Sequence, residues 1–192
     1  MLERNQKVLE FLLSRRSHSA RTLTEPAPNK DDLELMLTAA SRCPDHGKME
    51  PWRFIVLQRK VMPSLANKIS EIGNRKGLEI SQIKKNVDLF LKAPMIVVVV
   101  FSPKCSDKIP IVEQKLSTGA VCLALLNAAH AAGWGANWLT GWMARDEEFL
   151  ISGLQLERGE FAAGFIHIGT PTKIPLERPR PDIGAITSWL QT

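Results

Sequence analysis

The chain has 192 residues, of which 44% are hydrophobic and 23% are charged. These values exclude a disordered chain and fit one globular domain, residues 1–192, with a sizeable core. The formal net charge of +5 could attract nucleic acid or a smaller anion. However, the Lys and Arg residues are dispersed and no nucleic-acid-binding motif surrounds them, so we expect no nucleic-acid partner.

The cysteines and the hydropathy of the chain indicate the cellular compartment of the protein. The three cysteines, Cys43, Cys105 and Cys122, form no CxxC pair and cannot all be bridged, which favours reduced thiols in the cytoplasm. Cys43 is either a reactive thiol or a structural residue. The longest apolar run, 93–101, is too short to span a bilayer, and Glu3 places a charge where a signal peptide needs apolar residues. We therefore expect a cytoplasmic protein without a membrane segment.

Helix and strand patterns alternate along the chain. Apolar residues at helical spacing predict helices, and short β-branched or aromatic runs predict strands. In chain order these are helices over 7–13 and 31–41, a buried strand over 54–57, a lysine-rich, solvent-facing helical stretch over 61–83, a strand over 95–101, a helix over 113–132, a strand over 136–139, a short helix near 147–152 and a strand over 161–169. Together they predict an α+β fold with a mixed central sheet flanked by helices.

Two of these elements are predicted to lie at the centre of the fold. Residues 95–101 form a continuous β-branched run without alternation, as in a strand covered on both faces. The 113–132 helix is apolar almost all round, which is typical of a buried helix, and Gly133 ends it. Its small residues would let a second helix approach closely, as at a subunit interface.

Residues 42–54 form a polar loop bounded by Pro44 and Pro51, between a helix and a strand. Burying this many polar groups without partners is unfavourable, so the loop is expected to face a ligand or another subunit. The alternative is an ordinary solvated connection.

Four motifs together carry a family resemblance. They are Arg15-Arg16-Ser17, the 42–54 loop, the segment from Gly133 to Trp142, and the C-terminal residues 169–171 with 177–181. With these motifs in this order the chain resembles the FMN-dependent nitroreductases, specifically their YdjA-like branch. The resemblance implies a nitroreductase-like fold and an interlocked homodimer in which the C-terminal segment extends onto the partner.

The resemblance also implies where the FMN phosphate would bind. A flavin mononucleotide needs cations for its phosphate, and the planar fork of arginine suits that group. By similarity to the family, Arg15 and Arg180 would grip the phosphate, assisted by Arg178 and Ser17, with Arg16 in the same segment. Solvated surface charge is the alternative interpretation of Arg16 and Arg178.

Two further groups of residues are assigned to the flavin by resemblance. Arg42 and His46 would reach FMN held mainly by the other subunit, although a lone histidine is more often a solvated one. Lys48 and Glu50 depart from the residues of many family members, so contacts from these two positions are left open.

The segment Trp138-Leu139-Thr140-Gly141 matches the family segment that lies against the flavin ring. A backbone amide there, from Thr140 or Gly141, would point at flavin N5. Trp142 is interpreted as a core aromatic residue.

The implied function is an FMN-dependent oxidoreductase that takes hydride from NADH or NADPH and delivers it to a nitroaromatic, quinone or similar small-molecule acceptor by a ping-pong mechanism. No catalytic side chain and no metal are assigned, because the flavin performs the hydride step. The alternatives are an FMN storage or sensor protein without turnover, or a specialised flavin-dependent oxidase.

His130 and His167 lie in apolar runs and are predicted to be hydrogen-bonded core histidines.

Overall fold

A computed structural model describes residues 3–190 of the chain. The predicted elements occur in the predicted order, except that the stretch 61–83 is divided between two helices, the second of which extends to Lys92, and that the short strand Leu23–Thr24 was not predicted; the α+β class is confirmed. Their bounds are α1 Gln6–Ser14, β1 Leu23–Thr24, α2 Lys30–Ala40, β2 Trp52–Gln58, α3 Met62–Arg75, α4 Ile80–Lys92, β3 Met95–Phe101, α5 Ile111–Ala131, β4 Gly135–Leu139, α6 Glu147–Leu154 and β5 Phe161–Pro171. Within residues 3–190, no helix is long and apolar enough to cross a membrane.

The sheet is antiparallel rather than mixed. Its order is β1-β5-β3-β2, with β4 also paired to β5, and every pairing between the described strands is antiparallel. Two helices, α3 and α4, connect β2 to β3 and return the chain to the end of the sheet that it left. β3 and β4 run in the same direction with α5 as the crossover, but β5 lies between them. The parallel pairing that a mixed sheet requires is therefore not made between the described strands.

β3 is the central strand of the core, as predicted. All seven of its residues are buried. The even-numbered residues from Ile96 to Val100 pack in a cluster with α3, α4 and α6. The odd-numbered residues from Met95 to Val99 pack in a second cluster with α2 and α5. The sheet is thus covered by helices on both faces, which explains why β3 shows no alternation.

The predicted solvent-facing excursion at 61–83 is wrong. α3 buries one apolar face, which includes Met62, Leu65 and Ile69, and exposes polar residues such as Asn67 and Glu71. Gly73 lets α4 approach, because a Cβ there would lie 2.8 Å from Ile83 Cγ1. The stretch is an amphipathic part of the core, which its average polarity conceals.

β2 is also less buried than the sequence predicts. It is the edge strand of the sheet, and along it only Leu57 is fully buried. Arg53 on this strand forms a bidentate ion pair with Glu160, at 2.6 and 2.7 Å. The exposure of the β2 residues follows from the position of the strand at the edge of the sheet rather than from its apolar composition.

Among residues 3–190, apolar surfaces that remain exposed include one on α5 and one beyond β5. The long helix α5 is not buried all round as predicted: it buries one stripe, but Leu116 and Leu123 are exposed on its other side, and a Cβ at Gly119 would meet no atom within 4 Å. Beyond β5, residues 172–190 are almost entirely exposed and include the apolar residues Leu176 and Trp189. Both surfaces could be covered by a second chain.

Gly164 of β5 lies beneath the indole of Trp138, and this contact gives a test of the packing. A methyl group at Gly164 would stand 2.3 Å from Trp138 Nε1 and 3.1 Å from Cys122 Sγ. We expect Gly164→Ala to lower the free energy of unfolding by about 1–3 kcal/mol through overpacking, measured by urea denaturation. Because the indole is the main obstruction, Trp138→Ala should relieve much of this loss in the double variant. Strictly additive losses would contradict this packing.

Candidate functional site

Three arginines meet at the end of α1. Arg15 caps the helix through its backbone N–H, which donates to the Phe11 carbonyl at 2.8 Å. Arg16 lies 3.6 Å from Glu177 Oε1, and Arg180 Nε donates to the same oxygen at 3.1 Å. We call Arg15, Arg16 and Arg180 the arginine cluster. It joins residues more than 160 positions apart in the chain.

The arginine cluster carries an excess of positive charge. Burial, followed by the charges of Arg180 and Arg16, lowers the pKa of Arg15. The only carboxylate bonded to the cluster among the described residues belongs to Glu177, whose pKa is lowered chiefly by the backbone N–H of Arg178. Three neighbouring guanidinium groups, of which only Arg16 and Arg180 contact a carboxylate, fit an anion such as a phosphate. Arg16, whose side chain is only 18% exposed, is therefore not an ordinary solvated surface charge.

The remaining predicted phosphate residues lie close by. Ser17 Oγ accepts a hydrogen bond from Arg15 Nη1 at 3.5 Å. Arg178 contributes its backbone N–H, which donates to Glu177 Oε1 at 3.0 Å. Ser17 and Arg178 are thus adjacent to the arginine cluster, but the side chain of Arg178 has no part in the contacts that hold it.

A cavity of about 470 Å³ adjoins the arginine cluster and is lined by Arg15, Arg16, His18, His130 and Trp134, among others. The rings of His18 and His130 are 5.4 Å apart. Burial, the charge of His18 and the charge of Arg15 lower the pKa of His130 to about 4. Its ring nitrogens make no hydrogen bond of normal geometry within residues 3–190, although the Ala136 backbone partly offsets the lowering of the pKa. The residue is also only half-buried, so the prediction of a hydrogen-bonded core histidine is wrong here.

The 42–50 loop docks on the first turns of α5. Ser117 Oγ donates to the Pro44 carbonyl at 2.6 Å, and Cys43 Sγ donates to the Ser117 carbonyl at 3.7 Å. His46 Nδ1 lies 2.7 Å from Glu113 Oε2. Burial and the charge of Asp45 raise the pKa of Cys43, which favours the structural interpretation of that thiol.

The conformation of this loop is unusual. Gly47, Lys48 and Glu50 have φ values of +70°, +53° and +49°. For Lys48 and Glu50 this left-handed conformation is unfavourable and persists only where surrounding contacts fix it. The side-chain hydrogen bonds of the loop, within the described residues, go to α5 or to the loop itself. The structure therefore does not join Arg42 and His46 to the arginine cluster of the same chain.

A second cavity, of about 270 Å³, lies at the end of β4. We call it the β4 cavity. Its walls come from β4 and the residues after it, from α4 and from β5. They include Lys85, Asn86, Phe90, Thr140, Gly141 and His167.

The segment predicted to face a flavin ring borders the β4 cavity. Trp138 is fixed at its start, since Nε1 donates to the Ala163 carbonyl at 3.1 Å. Leu139 is the last residue paired with β5, opposite Phe165. Gly141 adopts φ +71° and ψ −177°, a conformation that is essentially restricted to glycine. All four residues, Trp138, Leu139, Thr140 and Gly141, line this cavity, whereas Trp142 packs against the core cluster as predicted.

β4 connects the two halves of the candidate site. The backbone N–H of His18 donates to the Ala136 carbonyl at 3.0 Å, so the segment after Arg15 runs beside the start of β4. From Ala136 to Thr140 the strand advances by about 13 Å at roughly 3.3 Å per residue. This span suits a ligand with a phosphate at one end and a ring at the other.

Sequence reasoning did not assign several residues of this site. Lys85 and Asn86 lie on α4, beyond the predicted helical stretch 61–83, in residues for which no element was predicted. Glu177 gains its importance only from contacts with Arg16 and Arg180. His167 lies in an apolar run, and no local sequence pattern distinguishes it from a structural residue of the core.

Comparisons with known proteins define the family. Residues 12–170 match the family model described as the Nitroreductase family. YdjA of Escherichia coli (strain K12), provisionally named as an NAD(P)H nitroreductase, is 31% identical over 178 residues, which cover 90% of this chain and 96% of YdjA. The chain belongs to the nitroreductase family, and its YdjA-like character is confirmed.

Solved structures agree on the fold. The nitroreductase-like family protein from Bacillus cereus matches with a TM-score of 0.80 and 26% identity over all of both chains. A nitroreductase with bound FMN from Bacteroides fragilis matches with a TM-score of 0.75 and 20% identity, over 96% of this chain and 100% of that one. The predicted nitroreductase-like fold is thereby confirmed.

Proposed function

We propose that this protein is an FMN-dependent oxidoreductase that takes hydride from NADH or NADPH and delivers it to a nitroaromatic, quinone or related acceptor. The observation that carries the proposal is the arginine cluster, in which Arg16 and Arg180 share the carboxylate of Glu177 and Arg15 lies close enough to both for their charges to lower its pKa. Family membership and the provisional NAD(P)H nitroreductase name of YdjA support it. The bound FMN of the Bacteroides fragilis relative supports the cofactor.

The proposed cellular compartment is the cytoplasm, which the three free cysteines support.

The residues present fit FMN. Arg15, Arg16 and Arg180 would hold its phosphate, with Ser17 and Arg178 adjacent. The ring would lie against the segment from Trp138 to Gly141 at the β4 cavity, where a backbone N–H of Thr140 or Gly141 would face N5. When bound, FMN supplies the capacity to accept a hydride and pass it on.

The side chains around the β4 cavity would orient and polarise what binds there. Asn86 is only 7% exposed and donates its amide N–H to the Gln82 carbonyl at 2.9 Å. Its Oδ1 faces Gly141, since a Cβ on that glycine would lie 3.7 Å from the oxygen. Lys85 adds a positive charge to the wall. The chain has no tyrosine, so protons for product formation would come from water or from a group such as His46.

We also propose a homodimer with two composite sites. The exposed apolar faces of α5 and of residues 172–190 support a second chain as their cover. Arg42 and His46 would then contact FMN bound by the partner's arginine cluster. The 2.7 Å hydrogen bond between Nδ1 and Glu113 Oε2 would hold the His46 ring in place for that contact.

The phosphate assignment predicts a loss of FMN affinity in two variants. Arg15→Ala and Arg180→Ala each remove a charge-assisted contact worth about 1.5–3 kcal/mol, so the dissociation constant of FMN should rise about 10- to 150-fold. Flavin fluorescence titration of the apoprotein measures this constant. Arg75→Ala is the matched control, because Arg75 forms an exposed ion pair with Glu148 on α3 and α6. Unchanged FMN affinity in both test variants would rule the assignment out.

The composite site predicts complementation between variants. Heterodimers of an Arg15→Ala chain and an Arg42→Ala/His46→Ala chain carry one intact site and one doubly damaged site. By the two-fold symmetry of the dimer, flavin occupancy should return to about half. Mixing that restores no flavin, or a monomeric flavin-bound protein, would show that the sites are not shared.

The shared pocket predicts ping-pong kinetics, because nicotinamide and acceptor each need their reacting atom within about 3–3.5 Å of the same flavin atom. Double-reciprocal plots at several acceptor concentrations should be parallel. Thr140→Ala should keep most activity, since the assigned contact is a backbone one. Gly141→Val should lose it, because its φ of +71° disfavours a side chain and a Cβ would lie 3.3 Å from Met143 Cε. Intersecting plots would indicate two separate pockets.

A further inference from the structure

His167 is a buried polar residue whose hydrogen-bonding capacity the protein does not use fully. It lies on β5 with 2% of its surface exposed, and its Nδ1 has no hydrogen-bond partner among residues 3–190. Phe90 meets its ring edge-on, with the ring centroids 6.4 Å apart. In register it stands opposite Ile96 on β3 and Asn137 on β4, and the Asn137 amide donates to the His18 carbonyl instead.

The electrostatic state of His167 follows from this burial. Desolvation lowers its pKa to about 4, so the imidazole is neutral at neutral pH and offers one donor and one acceptor. A buried nitrogen without a partner destabilises the folded chain relative to an apolar ring of similar shape. For folding alone, phenylalanine would serve better at this position.

The ring has access to a ligand through the β4 cavity. His167 lines that cavity together with Asn86, Thr140 and Gly141. Nδ1 itself is fully enclosed, so a hydrogen bond to a group bound there would fall to the other ring nitrogen, Nε2, as donor or acceptor according to the tautomer. This would explain why a polar ring stands in an otherwise apolar part of the core.

We infer that His167 is a further cofactor-contacting residue, which hydrogen-bonds the polar edge of the isoalloxazine ring from the wall of the β4 cavity. The inference rests on the proposed function, which puts the flavin ring at this cavity. Its role differs from that of Lys85 on the same wall, because a neutral imidazole forms a hydrogen bond without adding charge. His167 thus contributes to FMN affinity while lowering the stability of the apoprotein.

Opposite changes in stability and affinity test this inference. His167→Phe keeps an aromatic ring and removes the hydrogen bond. The urea midpoint of the apoprotein should stay unchanged or rise, while the dissociation constant of FMN, from flavin fluorescence quenching, should rise about 3- to 10-fold. His167→Gln retains a donor and an acceptor and should bind FMN more tightly than His167→Phe. Ile96→Val is the packing control, and should lower the midpoint without changing FMN affinity.

Each outcome is decisive. Wild-type FMN affinity in His167→Phe, or failure of that variant to fold, would overturn the inference and make His167 a structural residue. Absence of FMN binding by the wild-type chain is a different result, since it would remove the proposed function and this inference with it. A wild-type chain that binds FMN beside an unaffected His167→Phe variant would remove the inference alone.

Discussion

The double pairing of β5 is the constraint on which the candidate site depends. This strand pairs with β3 along one edge and with β4 along the other, so it places β4 at a fixed register. The backbone of His18 then bonds to Ala136, which ties the arginine segment to the start of β4. A register slip of one residue would turn Trp138 to the opposite face of the sheet. Both ends of the site therefore follow from the position of β5.

Charge is divided unequally between the two ends of β4. At its start, three guanidinium groups lie together and only two of them, those of Arg16 and Arg180, contact the carboxylate of Glu177. The nearby His130 stays neutral because burial lowers its pKa. At its end, the cavity wall is mostly neutral, with Asn86 and His167 beside Lys85. A ligand with an anionic tail and a weakly polar ring matches this division. The geometry supports FMN through the distribution of charge as well as through family membership.

The sequence allows the local features of the fold to be predicted better than its long-range ones. β3 and α5 are evident because their residues are apolar on every side, and Arg15 and Arg16 follow a helix whose end is visible. α3 was misjudged because its many polar residues hide the apolar face that it buries. The antiparallel pairing escaped prediction because it depends on β5 entering between two strands that run in the same direction.

In the candidate site, too, residues in a local motif could be predicted and residues that depend on long-range contacts could not. Thr140 and Gly141 could be assigned from a contiguous motif, whereas Glu177 joins Arg16 only through the folded C-terminal segment. The unmet hydrogen bond of His167 exists only in the packed core, so no sequence pattern reports it. The contribution of Arg42 and His46 depends on a second chain and stays a prediction.

The central claim is that this chain binds FMN and turns it over. Its most direct test is to titrate the apoprotein with FMN, add NADH or NADPH without oxygen, and then add a quinone or nitroaromatic. We predict one FMN per chain, bleaching of the flavin absorbance by the nicotinamide and its recovery on addition of the acceptor. Flavin that binds but does not bleach would indicate a storage or sensor protein, and recovery only with oxygen would indicate an oxidase. A chain that binds no FMN would contradict the account.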